Sequence, residues 1–308
     1  MRILLLLLLT GLPAWAGHAW ADCGTDGVEL QVLGSGGPEL DDGRASSAYL
    51  VRVDGKARVL VDIGGGASLN FERAGARLED LDAVLFTHFH VDHSADFPVL
   101  IKAAYFSGRE RDLPVFGPQG NDWMPSARAF VEKTLGTTGA WRYLSDFVHS
   151  DEPAAFHLRV HDVALDRFRP QFFSIDKTLR VAAIAVHHGP LPALAWRVEA
   201  KGCVVVFSGD MNNDYHSLAR LAKKADLLVA HNAIPQGATG VARRLHMPPS
   251  EIGRIAQRAG VHQLVLSHRM RRTLGREAQT RAEIRKNYAG PLYFAEDLDR
   301  FPVMPKDD

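Results

Sequence analysis

The chain has 308 residues, with 36 basic and 36 acidic side chains and a formal net charge of zero. This length allows one large domain or two small ones, and a hydrophobic share of 46% is ordinary for a globular protein. The balanced charge provides no overall electrostatic case for binding nucleic acid.

The N-terminus has the pattern of a cleaved secretory signal. Arg2 precedes a short apolar run at 3–9, and Ala19-Trp20-Ala21 supplies a cleavage site. The run is too short for a membrane span, and an uncleaved anchor is the alternative. We therefore expect residues 1–21 to be a signal peptide and 22–308 to form a single hydrolase domain. The mature protein would be periplasmic or secreted, without a membrane span.

Two cysteines remain after that cleavage, Cys23 and Cys203. In an oxidising compartment they could form a disulfide. Cys203 also precedes the apolar run 204–207 and could be a small buried hydrophobic residue. Both interpretations stay open at this point.

Predicted strands and helices alternate through the first half, which favours α/β layering. A strand over 28–33 ends at a glycine-rich turn, and a hairpin of strands 47–53 and 57–62 follows, turning at Asp54-Gly55. The other elements predicted in this half are a helix over 67–74, a strand over 81–86, a helix over 97–106, a strand over 113–118 and a helix over 121–135.

Four potential metal ligands follow the predicted strand 81–86. They are His88, His90, Asp92 and His93. Side chains alternate along an extended segment, so His88 and His90 point to the same side. We expect the other two on the turn into a helix that begins near Ser94. Imidazole and carboxylate together suit zinc, manganese or iron better than calcium or magnesium.

In the second half, a histidine or an aspartate recurs at the ends of predicted strands. The strands cover 179–186, 193–198, 204–207, 226–230 and 261–266, and the polar side chains that follow them are His188, Asp210, His231 and His268. His246 precedes a helix over 251–259, with Ser250 as a natural N-cap and Gly260 as a natural stop. Because α/β folds gather their sites at strand ends, we expect these side chains to meet.

The pattern His-x-His-x-Asp-His after a strand resembles the signature of the metallo-β-lactamase-fold hydrolases. Three later motifs resemble the branch that contains tRNase Z, class II cyclic-nucleotide phosphodiesterases and certain arylsulfatases. They are His188-Gly189, Ser208-Gly209-Asp210, and His246 followed by a helix and by Leu264-Val265-Leu266-Ser267-His268. The resemblance covers almost the whole chain after residue 28. It implies an α/β fold, the four-layer αββα sandwich.

The same resemblance implies two divalent metal ions, taken as zinc, with manganese or iron as alternatives. One ion would be held by His88, His90 and His188, the other by Asp92, His93 and His268, with Asp210 bridging the two. Asp62 would support the metal-ligand loop.

A hydroxide shared by the two ions would be the nucleophile, because paired metals lower the pKa of bound water towards about 7. Asp92 would orient this hydroxide. His246 is the candidate proton donor to the leaving group, and His231 is the second candidate.

Three functions compete at this stage. The first is an exported phosphodiesterase acting on a small or cyclic phosphodiester. The second is an arylsulfatase, or another ester or lactone hydrolase, using the same site. The third is a metal-binding sensor or scaffold with little activity, which the complete ligand set disfavours.

Three features argue against tRNA processing. Asn232 replaces the glutamate of the His-Glu-Ala motif of tRNase Z, the long basic arm that holds tRNA in that family is missing, and export conflicts with a cytoplasmic task. We therefore expect a small-molecule ester substrate, with nucleic acid unlikely. The oligomeric state is left open, with a homodimer as one option.

Overall fold

The computed structural model describes residue 23 and residues 27–151 and 153–304. The predicted signal peptide, residues 1–21, lies outside these residues. No helix within the described ranges is long and apolar enough to cross a membrane.

The described residues form fourteen strands and eight α-helices. The strands are β1 (Val28–Gly34), β2 (Ala48–Val53), β3 (Lys56–Ile63), β4 (Ala83–Leu85), β5 (Leu113–Pro118), β6 (Leu158–Val163), β7 (Gln171–Ser174), β8 (Leu179–His188), β9 (Leu191–Ala200), β10 (Cys203–Phe207), β11 (Leu227–His231), β12 (Gln263–Ser267), β13 (Leu292–Phe294) and β14 (Arg300–Pro302). The helices are α1 (Ala67–Arg73), α2 (Val91–Ser94), α3 (Phe97–Ala103), α4 (Ala127–Leu135), α5 (Leu218–Leu221), α6 (Gly240–Leu245), α7 (Pro249–Ala259) and α8 (Glu277–Arg285). Short 3₁₀ turns cover Leu78–Asp80, Ala104–Phe106 and Arg142–Phe147.

The strands form two mixed sheets. The spatial order is β14-β1-β2-β3-β4-β5-β6 in the first sheet and β13-β12-β11-β10-β9-β8-β7 in the second. In each sheet, antiparallel pairing gives way to parallel pairing, from β3 to β6 in the first and from β10 to β13 in the second. The carboxyl ends of parallel strands lie at one edge of a sheet, and the candidate ligands directly follow the strands at that edge.

Three apolar clusters separate four layers. The cluster between the sheets includes Trp196, a second cluster lies against the helices of the first sheet, and a third lies against α7 and α8. In β11, Leu227 and Val229 join the inner cluster, whereas Leu228 and Ala230 join the outer one. Strands covered on both faces are apolar at every position. The predicted αββα sandwich is confirmed.

Two element boundaries differ from those predicted near the site. α2 begins at Val91, so Asp92 and His93 lie within a helical turn and not before it. The helix predicted over 121–135 begins only at Ala127, where the hydroxyl of Ser126 accepts a hydrogen bond from the Ala129 amide. Proline disfavours a helical conformation in the residue before it, and Pro125 therefore delays this start.

Ser250 is not the N-cap of α7. Pro248 occupies that position and Pro249 is the first helical residue, where a missing N–H removes no helical hydrogen bond. Ser250 instead bonds to Gln236 through both its amide and its hydroxyl. Gly260 ends the helix with a φ of 66°, as predicted.

β6 and β7 were not predicted from the sequence. Each lies at the edge of its sheet and has alternating burial. Edge strands lack the continuous apolar run of the central strands, so their signal is weak.

Cys23 and Cys203 form a disulfide, which confirms the first of the two interpretations. Cys203 is also buried in the cluster between the sheets. The bond joins residues 180 positions apart. In the chain-entropy model, closing a loop of this length lowers the conformational entropy of the unfolded chain and destabilises it by about 5 kcal/mol. The bond fastens Cys23, at the start of the described chain, to β10.

Candidate metal centre

The predicted ligands meet at the edge of the sandwich where strands of both sheets end. The residues fall into two groups, His88, His90, His188 and Asp210, and His93, Asp210, His231 and His268, and the candidate ligand atoms within each group all lie within 4.8 Å of one another. Asp210 belongs to both groups. Among the described residues, it is the one side chain common to both groups and could serve two metal ions.

Asp92 lies beside the second group. Its Oδ2 is 3.6 Å from His93 Nε2 and 3.9 Å from His268 Nε2. Asp210 faces the same two nitrogens, with Oδ1 3.4 Å from His268 Nε2 and Oδ2 3.9 Å from His93 Nε2. The structure therefore brings together all seven residues that the sequence predicts as ligands.

Hydrogen bonds to Nδ1 hold the imidazoles in place. His93 Nδ1 is 2.7 Å from Asp62 Oδ2, His268 Nδ1 is 2.8 Å from Ser47 Oγ, and His188 Nδ1 is 3.0 Å from the Leu245 carbonyl. A histidine whose Nδ1 is bonded in this way directs Nε2 towards a metal.

Asp62 also accepts hydrogen bonds from the amide and the hydroxyl of Thr87, both at 2.7 Å. Thr87 directly precedes His88, so Asp62 fixes both ends of the His-x-His-x-Asp-His segment. The supporting position expected for Asp62 is confirmed.

Three of the inward nitrogens are orphaned. The Nε2 atoms of His88, His93 and His188 are buried and have no hydrogen-bond partner in the described part of the chain. Buried polar atoms are nearly always paired, so three such atoms converging on one carboxylate fit a bound cation. Burial, followed by the neighbouring histidines, holds the pKa of His88 well below its usual range. The ring is therefore in the neutral form that metals require.

The carboxylates make the centre attractive to positive charge. Burial by itself lowers the pKa of His93, but Asp62 and Asp92 outweigh it and raise that pKa to about 9. Burial likewise favours protonation of Asp210, yet His268, His246 and the hydrogen bond from His231 hold its pKa well below the usual range. Divalent metals would supply this positive charge, so the donor set and its electrostatics fit them.

Gly209 allows Asp210 to reach the centre. Its φ is 58°, and a Cβ at this position would lie 2.9 Å from both the Leu194 carbonyl oxygen and Thr87 Cβ. Leu194 and Thr87 are themselves joined by a backbone hydrogen bond of 2.8 Å between the two sheets. Only glycine, which has no Cβ, can lie this close to Leu194 and Thr87 and adopt this positive φ.

The two proton-donor candidates occupy different environments. Both ring nitrogens of His231 are engaged, Nδ1 at 2.8 Å from Asp210 Oδ1 and Nε2 at 3.1 Å from the Tyr49 hydroxyl. His246 Nδ1 lies 3.7 Å from Asp210 Oδ2 without a hydrogen-bond partner among the described residues. Burial lowers the pKa of His246 to about 4, so its ring is uncharged at neutral pH.

The sequence analysis missed several residues that build the centre. Ser47, Thr87 and Tyr49 are polar side chains buried beside the histidines. In the sequence, each of these three residues stands out only as a polar group within an apolar strand or at its end. Asn232, which departs from the tRNase Z motif, is buried, and its side-chain Nδ2 has no hydrogen-bond partner in the described structure.

His187 faces away from the centre. Its Nδ1 is 3.1 Å from Asn212 Oδ1, and its ring lies 5.1 Å from that of Tyr215. Successive side chains of a strand point to opposite faces, so only His188 can face the centre, as the sequence analysis expects.

Comparisons with known proteins agree with this geometry. A protein-family model described as the beta-lactamase superfamily domain matches residues 57–269. Ribonuclease Z of Mycobacterium bovis is 31% identical over 292 residues, covering 91% of this chain and 99% of the relative. Ribonuclease Z of Mycobacterium tuberculosis is 32% identical over 291 residues, with the same coverage.

Two solved structures share the fold. The metallo-β-lactamase-fold protein YhfI of Bacillus subtilis has a TM-score of 0.69 and 24% identity, and covers 90% of this chain and 99% of its own. The short form of human tRNase Z has a TM-score of 0.68 and 20% identity, with the same coverage. At these identities the likeness shows the fold alone.

The relatives overturn one expectation from the sequence. A small-molecule ester was expected as the substrate and nucleic acid was expected to be unlikely, but the relatives matched along nearly their whole length are named ribonuclease Z. The net charge of zero averages over the surface and does not describe the charge beside the site. Asn232, the missing basic arm and the predicted export pointed away from tRNA processing, which is one kind of nucleic-acid chemistry and not all of it.

Proposed function

Because the chain belongs to the metallo-β-lactamase-fold hydrolases, in the branch that contains ribonuclease Z, we propose that it hydrolyses phosphodiester bonds in RNA. It is a metal-dependent hydrolase. The observation that carries the proposal is Asp210, which faces both ligand groups in a chain that matches ribonuclease Z over nearly the whole length of that protein.

The proposed metals are two zinc ions. His88, His90 and His188 would hold the first ion, Asp92, His93 and His268 the second, and Asp210 both. Imidazole nitrogens and carboxylate oxygens are ligands that zinc prefers. When bound, the ions supply Lewis acidity towards the phosphodiester and make water an effective nucleophile at neutral pH.

The protein side chains have separate tasks in this mechanism. The Asp92 carboxylate, beside His93 and His268, accepts a proton from the attacking water. His231, held between Asp210 and the Tyr49 hydroxyl, fixes the orientation of Asp210. His246 Nδ1 has no hydrogen-bond partner among the described residues. Its ring is uncharged before substrate binds, so it would first take up a proton as the anionic phosphodiester raises its pKa, and would then donate that proton to the leaving alkoxide.

Local charge beside the centre supports an anionic polymer as the substrate. Arg243 and Arg244 form the last turn of α6, directly before His246. Arg272, which donates a hydrogen bond to the Ala233 carbonyl, is close enough to His246 to contribute to the lowering of its pKa. Phosphate contacts from such arginines supply most of the affinity of proteins for nucleic acids.

The substrate class is tested by turnover of the zinc-loaded mature protein on four compounds. They are a stem–loop RNA with an unpaired 3′ end, bis(p-nitrophenyl) phosphate, p-nitrophenyl sulfate and a β-lactam. We expect cleavage of the RNA and of the activated phosphodiester. Hydrolysis of the sulfate without either phosphodiester would replace the proposal with a sulfatase, and no turnover on any compound would favour a metal-binding scaffold.

We propose in addition that the protein works outside the cytoplasm. The signal-like residues 1–21 and the Cys23–Cys203 disulfide support this location, because disulfides persist in oxidising compartments. Mass spectrometry of protein secreted by an expression host should show an N-terminus at or within a few residues of Asp22, and no free thiol. Intact protein that still begins at Met1 and stays in the cytoplasm would contradict export.

A further inference from the structure

A cavity lies against the β8–β9 hairpin, at the end of β8 that carries His188. Its volume is about 550 Å³, and its floor is formed by Ala185 and Val186 of β8 with Pro192 and Ala193 of β9. Val186 precedes His188 by two residues, which is about 7 Å along a strand. That distance is close to the spacing of successive nucleotides in an extended single strand.

Aromatic rings and one guanidinium form the wall of this cavity. The Arg167 guanidinium carbon lies 4.8 Å from the centroid of the Phe168 ring and 5.3 Å from that of Tyr215. Phe168 remains 64% exposed, so one of its faces is open to a ligand. An exposed ring beside a cation is the arrangement on which proteins stack unpaired bases.

The wall is held in place before any ligand arrives. The Asp166 carboxylate accepts hydrogen bonds from the amides of Phe168 and Arg169, at 2.7 and 3.1 Å. Arg220 donates to the carbonyls of Arg167 and Phe168, at 3.1 and 2.8 Å. The Ala185 amide donates to the Asp166 carbonyl at 3.0 Å, which ties this loop to β8. A fixed loop loses little conformational entropy when it binds.

The opposite wall connects the cavity to the metal centre. Tyr215 follows Asp210 by five residues, in the loop that begins at that aspartate. Its ring contacts His187, and the Asn212 amide donates to the His187 carbonyl at 3.0 Å. The cavity and the metal centre therefore share the β8–β9 hairpin and the Asp210 loop.

We propose that this cavity, formed by Arg167, Phe168 and Tyr215, binds an unpaired base of the RNA next to the bond that is cleaved. This inference rests on the proposed function. The base stacks on the open face of Phe168, and the Arg167 guanidinium, which lies beside that ring, is near the backbone phosphate of that nucleotide. The subsite gives the enzyme a preference for single-stranded positions without base-specific hydrogen bonds, since every base offers a face for stacking.

The test compares Phe168→Ala with Phe172→Ala in the zinc-loaded protein. Phe172 is a matched control, because it is 54% exposed and has the Arg180 guanidinium 4.9 Å from its ring, but it lies outside the cavity. Removing one stacked base contact should raise KM for the RNA by about 5- to 150-fold. We expect this rise for Phe168→Ala, with kcat and the cleavage of bis(p-nitrophenyl) phosphate unchanged, and less than about twofold for Phe172→Ala.

An RNA with abasic unpaired positions separates stacking from charge. On this substrate Phe168→Ala should behave like the wild-type protein. On the intact RNA, Tyr215→Phe should keep the affinity that Tyr215→Ala loses. Equal changes in KM for the two phenylalanine variants would overturn the subsite. It would also be overturned if Phe168→Ala raised KM for the abasic RNA as much as it raises KM for the intact RNA.

Failure of the subsite and failure of the proposed function are distinguishable. Fluorescence anisotropy of the same labelled RNAs reports the subsite without any cleavage. If the base-dependent binding survives but RNA is not cleaved, the proposed function fails and the subsite stands. If RNA is cleaved and Phe168→Ala leaves its KM unchanged, the subsite fails and the function stands.

Discussion

Replacing Asp210 by alanine is expected to abolish stable binding of both metals and to lower kcat/KM for phosphodiesters by at least about a thousandfold. Asp210 is the only residue shared by the two described ligand groups, and Lewis-acid stabilisation by bound metals is worth several kcal/mol of the barrier. Elemental analysis after remetallation should give about two metals for each wild-type chain and close to none for this variant.

His268→Ala and Asp214→Ala provide the comparison. His268 belongs to one group only, so its loss should reduce the metal content less than the loss of Asp210. Asp214 follows four residues later with a 62% exposed side chain and lies outside both groups, so Asp214→Ala should keep the metal content of the wild-type protein. The bridging assignment is wrong if Asp210→Ala retains two metals.

His246→Ala should keep both metals and lose about 10²- to 10⁴-fold in rate, the range of general acid–base groups. The ring lies beside Asp210 but outside both ligand groups, with a free Nδ1. An alkoxide leaving from RNA needs a proton, whereas p-nitrophenolate leaves almost unaided. The loss should therefore be large on RNA and mild on bis(p-nitrophenyl) phosphate.

His262→Ala is the control for this variant, because this half-buried histidine lies just before β12, at the end opposite His268. It should behave like the wild-type protein. Equal losses of His246→Ala on both substrates, with metals intact, would mean that His246 positions the substrate. Loss of metal would mean that His246 belongs to the ligand shell.

We expect His231→Ala, unlike His246→Ala, to lower the metal content in the same elemental analysis. Its ring is enclosed between Asp210 and Tyr49, so its removal leaves the carboxylate without a support and lowers metal affinity. Groups that orient metal ligands typically contribute 10- to 100-fold to metal affinity or activity. The sequence made both histidines proton-donor candidates, His246 first and His231 second, because each lies next to a regular element.

Local patterns in the sequence predicted α/β layering and a polar site at strand ends, and the resemblance to the metallo-β-lactamase-fold hydrolases implied the αββα sandwich and the ligand set. Apolar runs in β8 to β12 predict strands covered on both faces, and polar ligands directly after those strands predict a site at one edge. These signals are local, since strand periodicity and the position of a ligand after a strand are properties of neighbouring residues. The described structure brings the predicted ligands together.

Which further residues surround that centre depends on contacts that form only in the folded protein. The contacts of Tyr49 with His231 and of Arg167 with Tyr215 join residues far apart in the chain, and the disulfide joins Cys23 to Cys203. Such contacts depend on how the sheets pair and pack, which no local pattern encodes. The net charge was misleading for the same reason. A sum over the whole chain contains no positions, whereas Arg272 acts on His246 because the fold brings the two side chains together.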